Sequence, residues 1–359
     1  MGPAQHTRPR ARHEALSEQD DTTLTDTAGS VEEALRRPDD APEKVGPYTI
    51  LEKLGEGGMG VVYLAEQRAP IRRRVALKLI KLGMDTAQVV ARFESERQAL
   101  ALMDHLNVAK VFDAGSTEQG RPFFAMEHVQ GEPIAEYCDR QRLTTADRIE
   151  LFIEVCDGVQ HAHQKGIVHR DLKPSNVLVT VMSDRPVPKI IDFGVAKAID
   201  HRLTTQSVYT RMGTLLGTPE YMSPEQAEMT SLDIDTRTDV YSLGVLLYEL
   251  LVGTLPFDRV DLRELGFDEM RRKIRQDEPR KPSSRLGTLG ERSAEIARRR
   301  GVEVAGLKSQ IRGDLDWIIL RALEKDRARR YQTPVELAAD LRRHLVDQPV
   351  GAGPPRVTY

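Results

Sequence analysis

The sequence predicts an α+β protein of two lobes, a small antiparallel β-sheet with one helix followed by a larger, mainly helical lobe. Three short segments rich in β-branched and aromatic residues lie at 48–54, 61–67 and 74–80, separated by Gly- or Arg-rich turns, and they predict antiparallel strands. Later in the chain the apolar residues recur at helical spacing, most clearly at 145–165 and 237–252. This change of period predicts separate strand-rich and helix-rich lobes.

The composition is typical of a soluble globular protein and excludes several function classes. Of the 359 residues, 40% are hydrophobic and 30% are charged, and the formal net charge is -3. This balance gives no reason to expect a nucleic-acid partner or an anionic membrane. The longest apolar stretch, 243–252, is far shorter than the roughly 20 residues that span a bilayer. Two cysteines cannot build a disulfide framework. We therefore expect a cytoplasmic protein with no membrane span in this chain.

Composition also divides the chain into three parts. Residues 1–46 are polar and show no sustained hydrophobic period, which predicts a disordered tail. Residues 47–347 hold the predicted strands and helices in one domain. Gly and Pro in 348–359 predict the start of a linker, as in one module of a longer protein. Membrane tethering would then require a further segment after Tyr359.

Within the domain, the N-lobe is predicted at 47–127 and the C-lobe at 130–347. The remaining predicted elements are a helix at 86–103, strands near 108–115 and 122–128, and helices at 314–324 and 334–346. Residues 258–312 hold 15 Lys or Arg against 10 Asp or Glu. This bias favours a solvated insertion over a basic docking surface.

The first motif with chemical meaning is the glycine-rich run 54–62, which contains G-x-G-x-x-G-x-V. In a dinucleotide-binding fold such glycines open a helix, whereas here a strand resumes at Val61. The run therefore predicts a hairpin tip whose backbone N–H groups can lie over phosphates. From these residues alone, a hairpin without a ligand remains the alternative.

A lysine in an apolar strand is the second motif. Lys78 ends the string V-A-L-K, and a buried lysine is costly unless an anion meets it. On the following helix Glu96 lies on the core-facing stripe, while Glu94 points about 200° away from that stripe. Glu96 is therefore the predicted partner of Lys78. The alternative is a lysine that extends to solvent.

The most specific string is His169-Arg170-Asp171-Leu172-Lys173-Pro174-Ser175-Asn176, followed sixteen residues after Asn176 by Asp192-Phe193-Gly194. Together with the two earlier motifs, it makes the chain resemble the Hanks-type (eukaryotic-like) protein kinase family over residues 48–346. The lysine two residues after the aspartate is typical of the serine/threonine branch, and the ending S-P-E-Q at 223–226 resembles bacterial members. The resemblance implies the two-lobed protein kinase fold.

The resemblance also implies an activity and the residues that carry it. The γ-phosphate of ATP would pass to Ser or Thr hydroxyls of protein substrates, with Mg²⁺ as cofactor. Asp171 would accept the proton of the substrate hydroxyl, Lys173 would steady the γ-phosphate, and Lys78, tied to Glu96, would hold the other phosphates. The implied Mg²⁺ ligands are Asn176 and Asp192.

An ATP pocket follows from the same resemblance. Ala76 and Val62 would form its roof and Leu178 its floor, Met126 would be the gatekeeper, and the hinge from Glu127 would bind adenine through its backbone. The implied ATP-binding residues are Leu54, Gly55, Glu56, Gly57, Gly58, Gly60, Val62, Ala76, Lys78, Met126, Glu127, Val129 and Leu178.

The resemblance further implies an activation segment that ends at Glu225. Thr210 and Thr214 are its predicted phosphorylation sites, with ordinary polar loop residues as the alternative, and Arg170 would pair with a loop phosphate. Thr218 would contact the catalytic loop.

Two structural assignments complete the resemblance. Asp239 would bond the backbone of the catalytic loop, and Arg330 would pair with Glu225.

Three interpretations of the whole chain then remain: an active kinase that phosphorylates its own activation loop through a transient dimer, a pseudokinase scaffold, and a small-molecule phosphotransferase. The presence of Lys78, Asp171 and Asp192 disfavours the pseudokinase, and the Thr-rich segment that ends G-T-P-E-Y-x-S-P-E at 217–225 disfavours the small-molecule phosphotransferase.

Three histidines do not predict a metal site. His161 and His163 would lie about 200° apart on one helix, so these two could not converge with His169 on one ion.

Overall fold

The first lobe is built on one antiparallel sheet. The structure, a computed structural model, describes residues 42–57, 60–80, 102–193, 218–228, 234–258 and 265–353. Within these residues six strands pair in the order β1-β2-β3-β4-β6-β5. Their bounds are β1 (Lys44–Val45), β2 (Tyr48–Glu56), β3 (Gly60–Gln67), β4 (Arg73–Ile80), β5 (Val111–Ser116) and β6 (Pro122–Glu127). Strand β1 lies inside the range 1–46 predicted to be disordered, so that prediction is wrong for 44–45. Residues 1–41 and nearly all of the helix predicted at 86–103 lie outside the described residues.

The two faces of this sheet pack against different cores. Successive side chains of a strand point to opposite faces, so Val75 and Leu77 of β4 lie opposite Ala76 and Lys78. The first pair belongs to a core confined to the N-lobe. The face that carries Ala76 and Lys78 joins, through neighbours such as Phe124, the large core of the C-lobe. The sheet therefore presents Lys78 toward the second lobe.

The C-lobe is mainly helical. Its described helices are α1 (Ile134–Arg140), α2 (Thr145–Gln164), α3 (Pro224–Glu228), α4 (Arg237–Val252), α5 (Phe267–Gln276), α6 (Pro282–Leu286), α7 (Glu291–Arg298), α8 (Val304–Ile311), α9 (Asp314–Ala322) and α10 (Pro334–Leu345). Its described strands are β7 (Glu132–Pro133), β8 (Val177–Met182) and β9 (Arg185–Ile190), which form a second sheet in that order. Helix α4 lies in the core, with nearly every side chain buried. No helix in the described ranges is long and apolar enough to cross a bilayer.

The expectation of a solvated insertion at 258–312 is wrong where its described residues, 258 and 265–312, pack into the core. Helices α5 to α8 fall in this range, and Leu286 and Leu307 are fully buried. Arg300 is only 1% exposed, and it donates hydrogen bonds to the carbonyls of Leu250 and Ile296. Burial lowers the pKa of Arg300 to about 9. The charge count was misleading because a buried arginine can satisfy helix-end carbonyls while its stem packs in the core.

Part of the predicted linker is also packed against the domain. Asp340 of α10, 1% exposed, accepts hydrogen bonds from the backbone N–H groups of Gly351 at 2.8 Å and Ala352 at 2.9 Å. The Tyr331 hydroxyl donates to the same carboxylate at 2.8 Å. The prediction of a linker from 348 is therefore wrong for residues 351 and 352, which are hydrogen-bonded to α10.

Candidate active site

The segment 169–176, the catalytic loop of the resemblance, is held by one buried carboxylate of α4. Asp239 is 0% exposed and accepts hydrogen bonds from the backbone N–H groups of His169 and Arg170, each at 2.8 Å. His163 Nε2 of α2 lies 2.7 Å from the same carboxylate. Burial acts to raise the pKa of Asp239, but the His163 hydrogen bond and the His163 and His169 charges outweigh it and lower the pKa. An ionised Asp239 is therefore a fixed acceptor for the loop.

Asp171 lies at the centre of a polar cluster. Lys173 Nζ donates to Asp171 Oδ2 at 2.7 Å and to Thr218 Oγ1 at 3.1 Å. Asn176 Nδ2 donates to the Asp171 carbonyl at 2.7 Å and to its Oδ2 at 3.2 Å. The Asp171 side chain remains 33% exposed. A carboxylate in this setting is oriented by its neighbours and still open to an incoming hydroxyl.

Lys78 reaches the second lobe. Its Nζ lies 3.0 Å from Asp192 Oδ2, and its side chain is 9% exposed. Asp192 has a left-handed backbone with φ 65°, and the preceding Ile191 donates its N–H to the Asn176 carbonyl at 2.9 Å. The structure thus brings together Lys78, Asp171, Lys173, Asn176 and Asp192. The predicted site residues Gly58, Glu96, Thr210 and Thr214 lie outside the described residues.

Two of these side chains suit a magnesium ion. Asn176 uses its amide nitrogen on Asp171, and no described residue donates a hydrogen bond to its amide oxygen. Asp192 supplies a carboxylate. Amide and carboxylate oxygens are hard ligands of the kind Mg²⁺ takes. The residues present therefore fit the ion that the resemblance implies.

The sheet register places the roof residues together. Val62 pairs with Lys78 across β3 and β4, and Met126 pairs with Ala76 across β4 and β6. Residues directly opposite one another in an antiparallel pair share a face, so all four lie on the face that points to the C-lobe. Leu178 lies on β8, in the second sheet.

The glycine-rich run has open space beside two of its described glycines. Gly55 pairs with Val62, and a Cβ added at Gly55 or Gly57 would meet nothing within 4 Å. Leu54 is 44% exposed, and Glu56 forms an exposed ion pair at the same hairpin. Gly60 differs, because a Cβ there would lie 2.4 Å from a backbone oxygen of β4. Its glycine is thus required by the close approach of two strands.

The hinge offers an open backbone donor at Val129. The N–H of Glu127 donates to the Lys110 carbonyl at 2.8 Å. The N–H of Val129, which is 9% exposed, has no acceptor among the described residues. Val129 is therefore able to donate to a ligand.

An ion pair between a buried lysine and a partly exposed glutamate holds this hinge, and sequence reasoning missed it. Lys189 of β9, 6% exposed, places its Nζ 2.9 Å from Glu127 Oε1, and the other oxygen accepts from the Lys110 N–H at 3.2 Å. The argument used for Lys78, a lysine in an apolar strand, applies equally to Lys189.

A second ion pair, buried at both ends, secures α3. Arg330 donates to both oxygens of Glu225 at 2.7 and 2.8 Å, and the Thr238 hydroxyl donates to Oε1 at 2.8 Å. Burial acts to raise the pKa of Glu225, but the hydrogen bonds and charge of Arg330 lower it. This charge-assisted pair fixes the end of the 218–228 segment beside the catalytic loop.

Comparison with known proteins identifies the family. Residues 48–337 match the family model of the protein kinase domain. The chain belongs to the protein kinase family. The kinase is similar to the serine/threonine-protein kinase Pkn1 of Myxococcus xanthus, at 39% identity over 217 residues that cover 60% of this chain and 30% of that protein. It is also similar to the serine/threonine-protein kinase PknB of Mycobacterium tuberculosis, at 33% identity over 300 residues, or 82% of this chain and 42% of PknB.

Solved structures share the fold of this kinase. The crystal structure of the Mycobacterium tuberculosis PknI kinase domain matches 84% of this chain and 97% of that chain, with a TM-score of 0.58 and 24% identity. The predicted family and the predicted two-lobed fold are thereby confirmed. The kinase spans less than half the length of the two curated relatives named above.

Proposed function

We propose that this kinase transfers the γ-phosphate of ATP to Ser or Thr hydroxyls of proteins. The observation that carries the proposal is the cluster in which Lys78 meets Asp192 while Lys173 and Asn176 both hold Asp171. A scaffold that only used the fold would not need these side chains together. The names of the curated relatives support the serine/threonine class.

The chain's own residues divide the work of phosphoryl transfer. Asp171 accepts the proton of the substrate hydroxyl, and Lys173 neutralises charge beside it. A positioned base contributes about 10²–10⁴-fold in rate, which corresponds to about 3–5 kcal/mol of barrier. Asn176 and Asp192 would hold Mg²⁺, which when bound neutralises charge on the phosphates. Lys78 supplies a second cation for the phosphates, and the N–H of Val129 supplies a donor for the adenine ring.

Regulation is proposed on the activation segment. Phosphate on Thr210 or Thr214, added by a second copy in a transient dimer, would pair with Arg170 and order the segment. Such a phosphate adds a charge of about -1.5 to -2 and three strong acceptor oxygens. We propose a cytoplasmic enzyme that acts on protein substrates.

The proposal is tested by phosphate transfer from labelled ATP with Mg²⁺ to the chain itself and to a generic acceptor protein. Asp171→Ala and Lys78→Met should each abolish transfer. Asp268→Ala is the control, because that side chain is 95% exposed on α5. Label mapped to Thr210 or Thr214 would support the switch sites.

Two outcomes would contradict the proposal. Nucleotide binding by the wild type without any transfer would favour a scaffold. Transfer to small alcohols in preference to Ser/Thr peptides would favour a small-molecule phosphotransferase.

A further inference from the structure

Gln226 of α3 uses both ends of its side-chain amide. Its Oε1 accepts from the backbone N–H of Ser223 at 3.0 Å, and its Nε2 donates to the carbonyl of Arg170 at 2.8 Å. The first bond is local to the start of α3. The second spans 56 residues of sequence and reaches the residue directly before Asp171.

Arg170 needs such a partner, because its backbone is strained. Its φ is 67°, in the left-handed region that a residue with a Cβ rarely adopts. A strained residue persists only where its surroundings over-determine it. Here Asp239 accepts the Arg170 N–H at 2.8 Å, and Gln226 donates to the Arg170 carbonyl. The two bonds hold opposite ends of one residue from two different helices.

The segment that carries Gln226 is itself well fixed. Glu225, its neighbour, is locked to Arg330, and Thr218 at the other end of the segment accepts from Lys173. The segment therefore touches the catalytic loop on both sides of Asp171, at Arg170 and at Lys173.

We propose that Gln226 is a positioning residue that sets the direction of Asp171 through the Arg170 carbonyl. It thereby couples the end of the activation segment to the proton-accepting carboxylate. This inference rests on the proposed function, because it assigns Gln226 to phosphoryl transfer from ATP.

Two substitutions separate positioning from a merely structural role. Gln226→Leu removes both hydrogen bonds. Gln226→Glu keeps an oxygen for the Ser223 N–H but replaces the donor to Arg170 with a carboxylate oxygen, which repels the carbonyl. A structural role predicts that Glu is the milder change, since it preserves the local turn. Positioning through Arg170 predicts that Glu lowers kcat at least as much as Leu.

The assay measures kcat and the KM for ATP, with a Ser/Thr peptide as phosphate acceptor. Each variant is used as the full chain, and mass spectrometry verifies that all variants carry the same phosphorylation as the wild type. We expect kcat to fall by about tenfold to a hundredfold in both variants, because a small misplacement of a reacting group costs that much. The KM for ATP and the Tm of Gln226→Glu should stay near the wild-type values. The matched control is Gln67→Leu. That glutamine, 8% exposed in the N-lobe, also accepts through Oε1 and donates to a backbone carbonyl.

Wild-type kcat in both variants would overturn the inference. A loss of kcat in Gln226→Leu but not in Gln226→Glu would also overturn it. So would an equal loss of kcat in the control Gln67→Leu. Failure of the proposed function would look different, because the wild type itself would then transfer no phosphate.

Discussion

Lys325 offers a quantitative test of how burial controls charge in the C-lobe. Its Nζ donates to the Ile274 carbonyl at 2.7 Å and lies 4.9 Å from the ring centre of Phe257 and 5.7 Å from that of Tyr241. Burial lowers the pKa of Lys325 from 10.5 to about 8, although the negative charge of Glu278 opposes the change.

The direction of the pH effect follows from proton binding. Between pH 8 and 10.5 the unfolded chain holds a proton on Lys325 that the folded chain has lost, so stability rises with pH across this window. Below pH 8 both states are protonated, and the full cost of burying the charge applies. A pKa lowered by about 2.5 corresponds to about 3 kcal/mol, at about 1.4 kcal/mol for each unit.

The perturbation is Lys325→Met, which has a similar length and no proton to lose. The free energy of unfolding of the variant, minus that of the wild type, should fall by about 3 kcal/mol between pH 8 and 10.5. Urea unfolding followed by the fluorescence of Trp317, the one tryptophan of the sequence, measures it. Arg300 and the other titrating groups are present in both chains, so their contributions cancel. A difference that does not change with pH would refute the reasoning.

Three further predictions use paired variants or a single anchor. Glu127→Gln should lower the free energy of unfolding by about 2 kcal/mol more than Lys189→Met does. The first change leaves an unpaired lysine that is 7% exposed, whereas the second leaves a glutamate that is 28% exposed. Equal urea midpoints of the two variants would contradict this. Gly60→Ala should cost about 3 kcal/mol because its Cβ would lie 2.4 Å from a backbone oxygen, while Gly55→Ala should melt like the wild type in thermal scans. Asp340→Ala should speed amide exchange of the C-terminal residues that it holds, and unchanged protection would count against that anchor.

Clean hydrophobic periods made much of the fold predictable. Strand β4, predicted at 74–80, runs from Arg73 to Ile80, and α4, predicted at 237–252, has those bounds. Helix α7 was missed, because its eight residues bury only Ser293, Ile296 and Ala297 among charged neighbours. Strand β7 was missed because two residues carry no period.

From the residues alone, the site was predictable where its residues are contiguous. The distant pairs of Asp239 with the catalytic loop and of Arg330 with Glu225 were predicted only through the family resemblance. Asp171 and Asn176 share one string, so a linear motif suffices to find them. His163, Lys189 and Gln226 were missed because each works through a partner far away in sequence. The separations are 76 residues to Asp239, 62 to Glu127 and 56 to Arg170. Such pairings depend on how helices and strands pack, which the period of a single segment does not reveal.

The anchoring of the catalytic loop determines how an inactive form of this kinase should be made. The carboxylate of Asp239 meets three polar groups in a site with no exposure to water, so its removal would strand buried donors and disturb the C-lobe core along with the loop. Loss of activity in an Asp239 variant would therefore say little about chemistry. Asp171, a third exposed at the surface of the same loop, is the better position for an intact, substrate-trapping variant.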